Sequence, residues 1–176
     1  PLTLHGNIAN IPARSVSVEI NETGIRIKGE VDETMMFGPP LRLTVEVRTD
    51  FNSGEMTIID TVTNLGDNPQ EHEMLYHINY GPSLLEEGSR LIAPFKQVAP
   101  RDPRSQEGID TFDQYSAPQV GFVEQAYLYH LIGQGDDNKT MVMLRNAAGD
   151  QASVLRYKLE DFPCFTQWKN TAGKND

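Results

Sequence analysis

The sequence predicts an all-β fold of antiparallel strands arranged as a β-sandwich. Three observations carry this. Hydrophobic periodicity is two along most of the chain, the periodic runs are short, and Gly, Asn, Asp and Pro clusters separate them. No stretch shows a sustained helical period, and there is no internal repeat or low-complexity tract. Regularly spaced short strands of this kind belong to sandwiches and barrels. One domain over residues 1–176 is expected, because strands of one type flank every irregular segment.

The elements follow in order. "SVSVEI" (15–20) alternates small polar residues with Val and Ile, and "GIRIKGEV" (24–31) resumes the alternation after the turn "NETG". "LRLTVEVRT" (41–49) sets Leu41, Leu43, Val45 and Val47 against Arg42, Thr44, Glu46 and Arg48, the pattern of a half-buried antiparallel strand. "GEMTIIDTVTN" (54–64) follows the hairpin-like "DFNSG" and is expected to pair with it. "EMLYHINYG" (73–81) reads as a strand from its β-forming residues. "RLIAPF" (90–95) is a short strand. Residues 96–120 carry Pro100, Pro103 and Pro118 with little periodicity and read as a long irregular segment, a functional loop or a connection. Later strands are expected in 121–133, 139–146, 152–159 and 164–170.

Composition narrows the function classes. Hydrophobic residues are 38% and charged residues 23%, which fits a folded globular chain. No apolar run approaches the ~20 residues of a membrane helix, and the start "PLTLHGNIANIPA" has neither the basic nor the apolar region of a signal peptide. Acidic residues outnumber basic ones by 25 to 15, for a net charge of -10. That balance disfavours nucleic acid and anionic membranes, whose affinity comes from Lys and Arg. Cys164 is the only cysteine, so neither an internal disulfide nor a cysteine zinc cluster forms; this suits a reducing cytoplasm.

The chemistry-bearing residues begin with "HEMLYH". It superficially matches a zincin motif, but His72 and His77 are five apart rather than four. On a strand, odd separation sends side chains to opposite faces, so the pair is not expected to share a metal. His77 would lie mid-strand on a face with Leu75 and Asn79, and His72 would face solvent. Glu124 and His130 share parity but stand about 20 Å apart along a strand, with Gln125, Tyr127 and Tyr129 on the other face. In "FTQWKN", Gln167 and Lys169 share one face and Thr166 and Trp168 the other. Trp168 reads as a core residue, and the Gln167–Lys169 face as either a polar pocket or a solvated face. Glu86, Glu87, Asp102, Asp110 and Asp113 offer carboxylates, but nothing in the spacing pairs two of them for glycoside hydrolysis.

The blocks "LHGNIANIPA" (4–13), "TVTNLGDNPQEHEMLYHINYGPSLLEEGSRLIAP" (61–94) and "FTQWKN" (165–170) together resemble the aldose 1-epimerase (galactose mutarotase-like) superfamily. The resemblance is to its branch of epimerase-like proteins with a domain of unknown function. It implies a mutarotase-like β-supersandwich, incomplete at both ends here, with a sugar in a cleft on one sheet and no metal or other cofactor. It further implies His77 as the general acid to the ring oxygen. His5 would hydrogen-bond the sugar, and Gln167, Lys169 and, more weakly, Glu124 would be pocket residues. The glutamate base implied by the family would follow "FTQWKN", beyond this chain, so the sequence reads as a central piece of a longer protein. Ring opening needs one proton delivered and one removed, and an imidazole, with its ordinary pKa of ~6.5, serves either step near neutral pH. The resulting expectation is anomer interconversion of a sugar; the alternatives are a non-catalytic sugar-binding module and an interaction sandwich without a sugar site.

Overall fold

Alternation decides where the strands lie and which face each residue takes. The computed structural model describes residues 5–34, 36 and 38–173. It divides into two compact units, 1–77 and 78–176.

The first unit is a four-stranded antiparallel meander: β1 (Ser15–Ile20), β2 (Gly24–Glu33), β3 (Leu41–Asp50) and β4 (Met56–Asn64), in that order. The β1–β2 turn is held by the Asn21 carboxamide oxygen, which accepts from the backbone N–H groups of Thr23 and Gly24, each at 2.9 Å. Gly24 itself admits no side chain, since a Cβ would lie 2.0 Å from the Thr49 carbonyl oxygen. The expected β3–β4 pairing forms, with Val47 opposite Ile58 and Leu43 opposite Val62.

Register carries the alternation across the whole sheet. Val16, Val18 and Ile20 align through Ile25 and Ile27 with Val45, Val47 and Ile58 on one apolar face. The opposite face is charged. There Arg42 makes a bidentate pair with Asp32 (2.6 and 3.0 Å), Arg14 joins Asp32 at 3.1 Å, and Arg26 reaches Glu46 at 2.9 Å. Asp60, opposite Val45, is the acidic exception on the apolar face of β4.

The second unit contains two three-stranded antiparallel sheets. One has the order β10 (Phe165–Lys169), β7 (Gln125–Leu131), β6 (Phe95–Pro100); the other has β5 (Arg90–Ile92), β8 (Lys139–Arg145), β9 (Ala152–Lys158). The buried core draws on both, with Tyr127, Tyr129 and Leu131 from β7 and Val142 from β8. Leu91, Val98, Phe112, Tyr157 and Phe165 pack around them. Tyr129 meets Phe95, Phe112 and Phe165 edge-on at ring-centroid distances of 5.3–5.9 Å, a favourable geometry for aromatic quadrupoles.

Three expectations are corrected. Residues 73–81 carry no regular secondary structure. Their β-forming composition favours a strand only where a neighbouring ladder accepts it, and among the described residues none pairs with them. The face-sharing of Leu75, His77 and Asn79 and the opposite facing of His72 and His77 therefore lapse. The segment 96–120 is ordered at its start: β6 runs to Pro100, and a short helix α1 (Pro103–Gln106) follows. Its signal was legible: Asp102 is the N-cap, accepting from the Ser105 N–H at 2.8 Å, and Pro103 opens the helix, where its missing N–H costs nothing. Trp168 is not a core residue but 48% exposed. The register Gln167↔Tyr127 and Trp168↔Ala126 turns Gln167 and Lys169 inward with the buried tyrosines, so parity sends Trp168 out.

Candidate functional site

In the first unit, the chain brings His5 and His77 together from opposite ends of the unit. Their ring centroids lie 5.0 Å apart, with the planes at 64°. Both are exposed, so the imidazole nitrogens are open to a ligand. His5 precedes Gly6, whose φ of 68° lies in the left-handed region that glycine adopts without strain, and so turns the chain just after the histidine. Two residues from His5, the Asn7 amide donates to Glu33 Oε1 at 3.1 Å and ties this segment to the end of β2. Next to His77, the Tyr76 hydroxyl donates to Asp60 Oδ2, while the other oxygen of Asp60 is buried without a hydrogen-bond partner. Burial, and then the bond to Asp60, push the Tyr76 phenol above its ordinary pKa, so it stays a donor. His72 is exposed. Among the described residues, no three His, Cys, Asp or Glu side chains gather as metal ligands.

In the second unit, Gln167 and Lys169 stand side by side on the inward face of β10, 4% and 5% exposed. Gln167 donates to the Phe112 carbonyl and the Tyr115 hydroxyl, each at 3.0 Å, and accepts from the Tyr129 hydroxyl at 2.7 Å. The Lys169 ammonium donates to the carbonyls of Thr111 (3.0 Å) and Gln114 (2.5 Å) and lies 5.5 Å from the centre of the Tyr115 ring. Burial lowers the Lys169 pKa, and the nearby Asp113 charge opposes that shift. The two side chains thus fasten residues 111–115 onto the sheet, with their polar atoms engaged by protein. Burial likewise raises the Tyr115 and Tyr129 phenols and keeps both neutral.

Glu124 lies on the other side of β10. It accepts from the Trp168 indole N–H at 2.6 Å and from Arg101 at 3.1 Å. The indole bond, and then Arg101, hold its pKa below the ordinary carboxylate range. Glu124 is therefore an ionised, twice-bonded carboxylate that orients Trp168, and it does not join Gln167 and Lys169. His130 is exposed on β7.

Sequence reasoning missed one further group in this unit, the arginines Arg90 and Arg145. They face each other across the β5–β8 ladder. No local motif marks them, because the strand pairing alone creates their proximity.

The family described as "Domain of unknown function (DUF4432)" matches residues 1–175. Among solved structures, a "putative aldose 1-epimerase" from Klebsiella pneumoniae subsp. pneumoniae MGH 78578 superposes with a TM-score of 0.92 at 31% identity. The match covers 97% of this chain and 45% of the Klebsiella chain, so the present chain spans under half of its neighbour's length. No curated protein matches. No helix among the described residues is long and apolar enough to cross a membrane. The all-β fold is that of the Klebsiella neighbour, and the chain belongs to the DUF4432 family, the epimerase-like branch that carries a domain of unknown function.

Proposed function

We propose that the protein interconverts the anomers of a sugar by acid–base ring opening, without a metal or redox cofactor, in a reducing cytoplasm. The observation that carries this reading is the 5.0 Å approach of His5 to His77. Both are exposed imidazoles, and both lie in the blocks that resemble the mutarotase sugar site. In this reading, His77 donates a proton to the ring oxygen, a carboxylate base of the kind the resemblance implies takes the proton of the anomeric hydroxyl, and the C1–O5 bond opens to the free aldehyde. Rotation about C1–C2 and the reverse transfers close the other anomer. His5 holds an oxygen near the anomeric centre. The resemblance also carries Gln167, Lys169 and, more weakly, Glu124 as substrate-binding residues; Gln167 and Lys169 would act through residues 111–115, which they fasten, and Glu124 through Trp168, which it orients. The similarity to a structure described as a "putative aldose 1-epimerase" supports the substrate class, and the single exposed Cys164 suits a reducing compartment.

Anomer exchange of a panel of aldoses, followed by polarimetry or NMR exchange spectroscopy, tests it. His77→Ala should slow exchange by about 10²-fold or more, the scale of general acid–base catalysis, and His72→Ala should leave it unchanged. Wild-type exchange in His77→Ala would overturn the assignment. Saturable sugar binding with no acceleration in the wild type would favour the non-catalytic binding module instead.

A further inference from the structure

The second unit holds a cleft of about 340 Å³, lined by Arg90, Leu91, Phe95, Phe112, Asp113 and Arg145 among others. This is at the lower end of the range for small-molecule sites. Its electrostatics are unusual for this chain. Arg90 and Arg145 are direct cross-strand partners, and like charges so placed repel. One carboxylate answers them: Asp113 Oδ2 takes the Arg90 Nη2 at 2.6 Å. Arg145 has no carboxylate partner among the described residues, and its Nε is buried without any hydrogen-bond partner. Two guanidiniums and one carboxylate leave the cleft locally positive by one charge, although the chain carries -10.

The Arg145 Nε is shut away from solvent, so a ligand in the cleft meets the terminal amino groups of this half-buried side chain. Beside it the cleft wall is apolar. Phe95 is 40% exposed and meets Phe112 edge-on at 5.8 Å, so a ring or carbon skeleton has a surface to lie on. A guanidinium fork beside an apolar wall fits an organic oxyanion, because its planar N–H pair matches carboxylate or phosphate oxygens two at a time.

We infer that this cleft binds a sugar-sized organic anion, its carboxylate or phosphate held by Arg145 and its carbon skeleton lying against Phe95. The inference rests on the cleft alone and does not require His77 to be catalytic.

Calorimetric titration of the protein with glucuronate, glucose 6-phosphate, glucose and inorganic phosphate tests it. At least one of the two sugar anions should bind at least tenfold tighter than glucose and than inorganic phosphate. Whichever anion binds tighter identifies carboxylate or phosphate as the preferred group. Arg145→Gln should weaken that binding tenfold or more. Arg145→Lys, which keeps the charge but loses the fork, should weaken it by a smaller factor, and it serves as the informative variant if Arg145→Gln misfolds. Sugar anions binding no tighter than glucose would overturn the inference. So would inorganic phosphate binding equally well, or wild-type affinity in either variant. Anomer exchange measured on the same samples keeps the two readings apart: loss of anion binding in Arg145→Gln with exchange of neutral sugars unchanged supports the cleft and leaves the His77 reading standing.

Discussion

At the scale of single residues, the same chemical type takes opposite roles according to what its partners leave free. His5 and His77 are exposed and face each other, so their nitrogens remain available to a ligand. Lys169 is a cation whose hydrogen-bonding capacity goes to the protein, two backbone carbonyls and a tyrosine face. Lys169→Met keeps most of the side-chain volume but removes the ammonium's bonds to the Gln114 carbonyl and to the Thr111 carbonyl, which still accepts from the Gln114 N–H at 3.1 Å. Removal of a desolvated charge offsets part of that loss. A hydrogen bond from a charged donor contributes about 1.5–3 kcal/mol, so the variant should lose stability of that order and unfold at a lower urea concentration. An unchanged midpoint would show that the ammonium does not hold the loop. Gly108 enforces the same packing from the other side, since a Cβ there would come within 2.5 Å of both Gln125 Nε2 and Tyr127 Oη.

At the scale of elements, α1 depends on its cap. The Asp102 carboxylate accepts from the backbone N–H and the hydroxyl of Ser105, each at 2.8 Å, and then from Arg101 at 2.9 Å. These bonds lower its pKa from 3.8 to about 2. The folded value lies below the unfolded one, so the unfolded chain binds the proton more readily in that interval. The contribution to stability is complete above about 3.8 and is lost as pH falls toward about 2. Melting temperatures of wild type and Asp102→Asn should therefore differ at pH 6 and converge as the pH falls through this window. A difference independent of pH would place the cap's effect elsewhere. The ion pairs on the charged face of β1–β4 are partly exposed as well, and pairs of that kind contribute little each.

At the scale of the whole molecule, burial is uneven. The second unit concentrates its aromatic and aliphatic residues between two sheets, whereas the first presents an apolar face that stays exposed at Val16, Val18, Ile20 and Met56. Leu131 is 4% exposed and Val18 57%. Leu131→Ala should cost about 2–5 kcal/mol, the range for truncating a buried leucine, and Val18→Ala should stay within about 0.5 kcal/mol, as exposed substitutions do. Urea denaturation checks both, and comparable losses at the two positions would contradict this distribution.

The sequence by itself determined the strands whose alternation is strong, β1–β4 and β7–β10, because a period of two has one solution on a pleated sheet. It also determined the turn at Asn21, and the resemblance in its His-Gly and "YHINYG" blocks marked His5 and His77. Tertiary structure decided what local pattern cannot hold. Residues 73–81 have β-forming side chains but no ladder to join. "FTQWKN" has two faces of similar polarity, and only its register against β7 shows that Gln167 and Lys169 go inward while Trp168 goes out. Arg90 and Arg145 are distant in sequence and neighbours only through the β5–β8 pairing. Periodicity is written in adjacent residues, whereas the partner of a strand, and with it the field and burial around each side chain, is set by segments far along the chain.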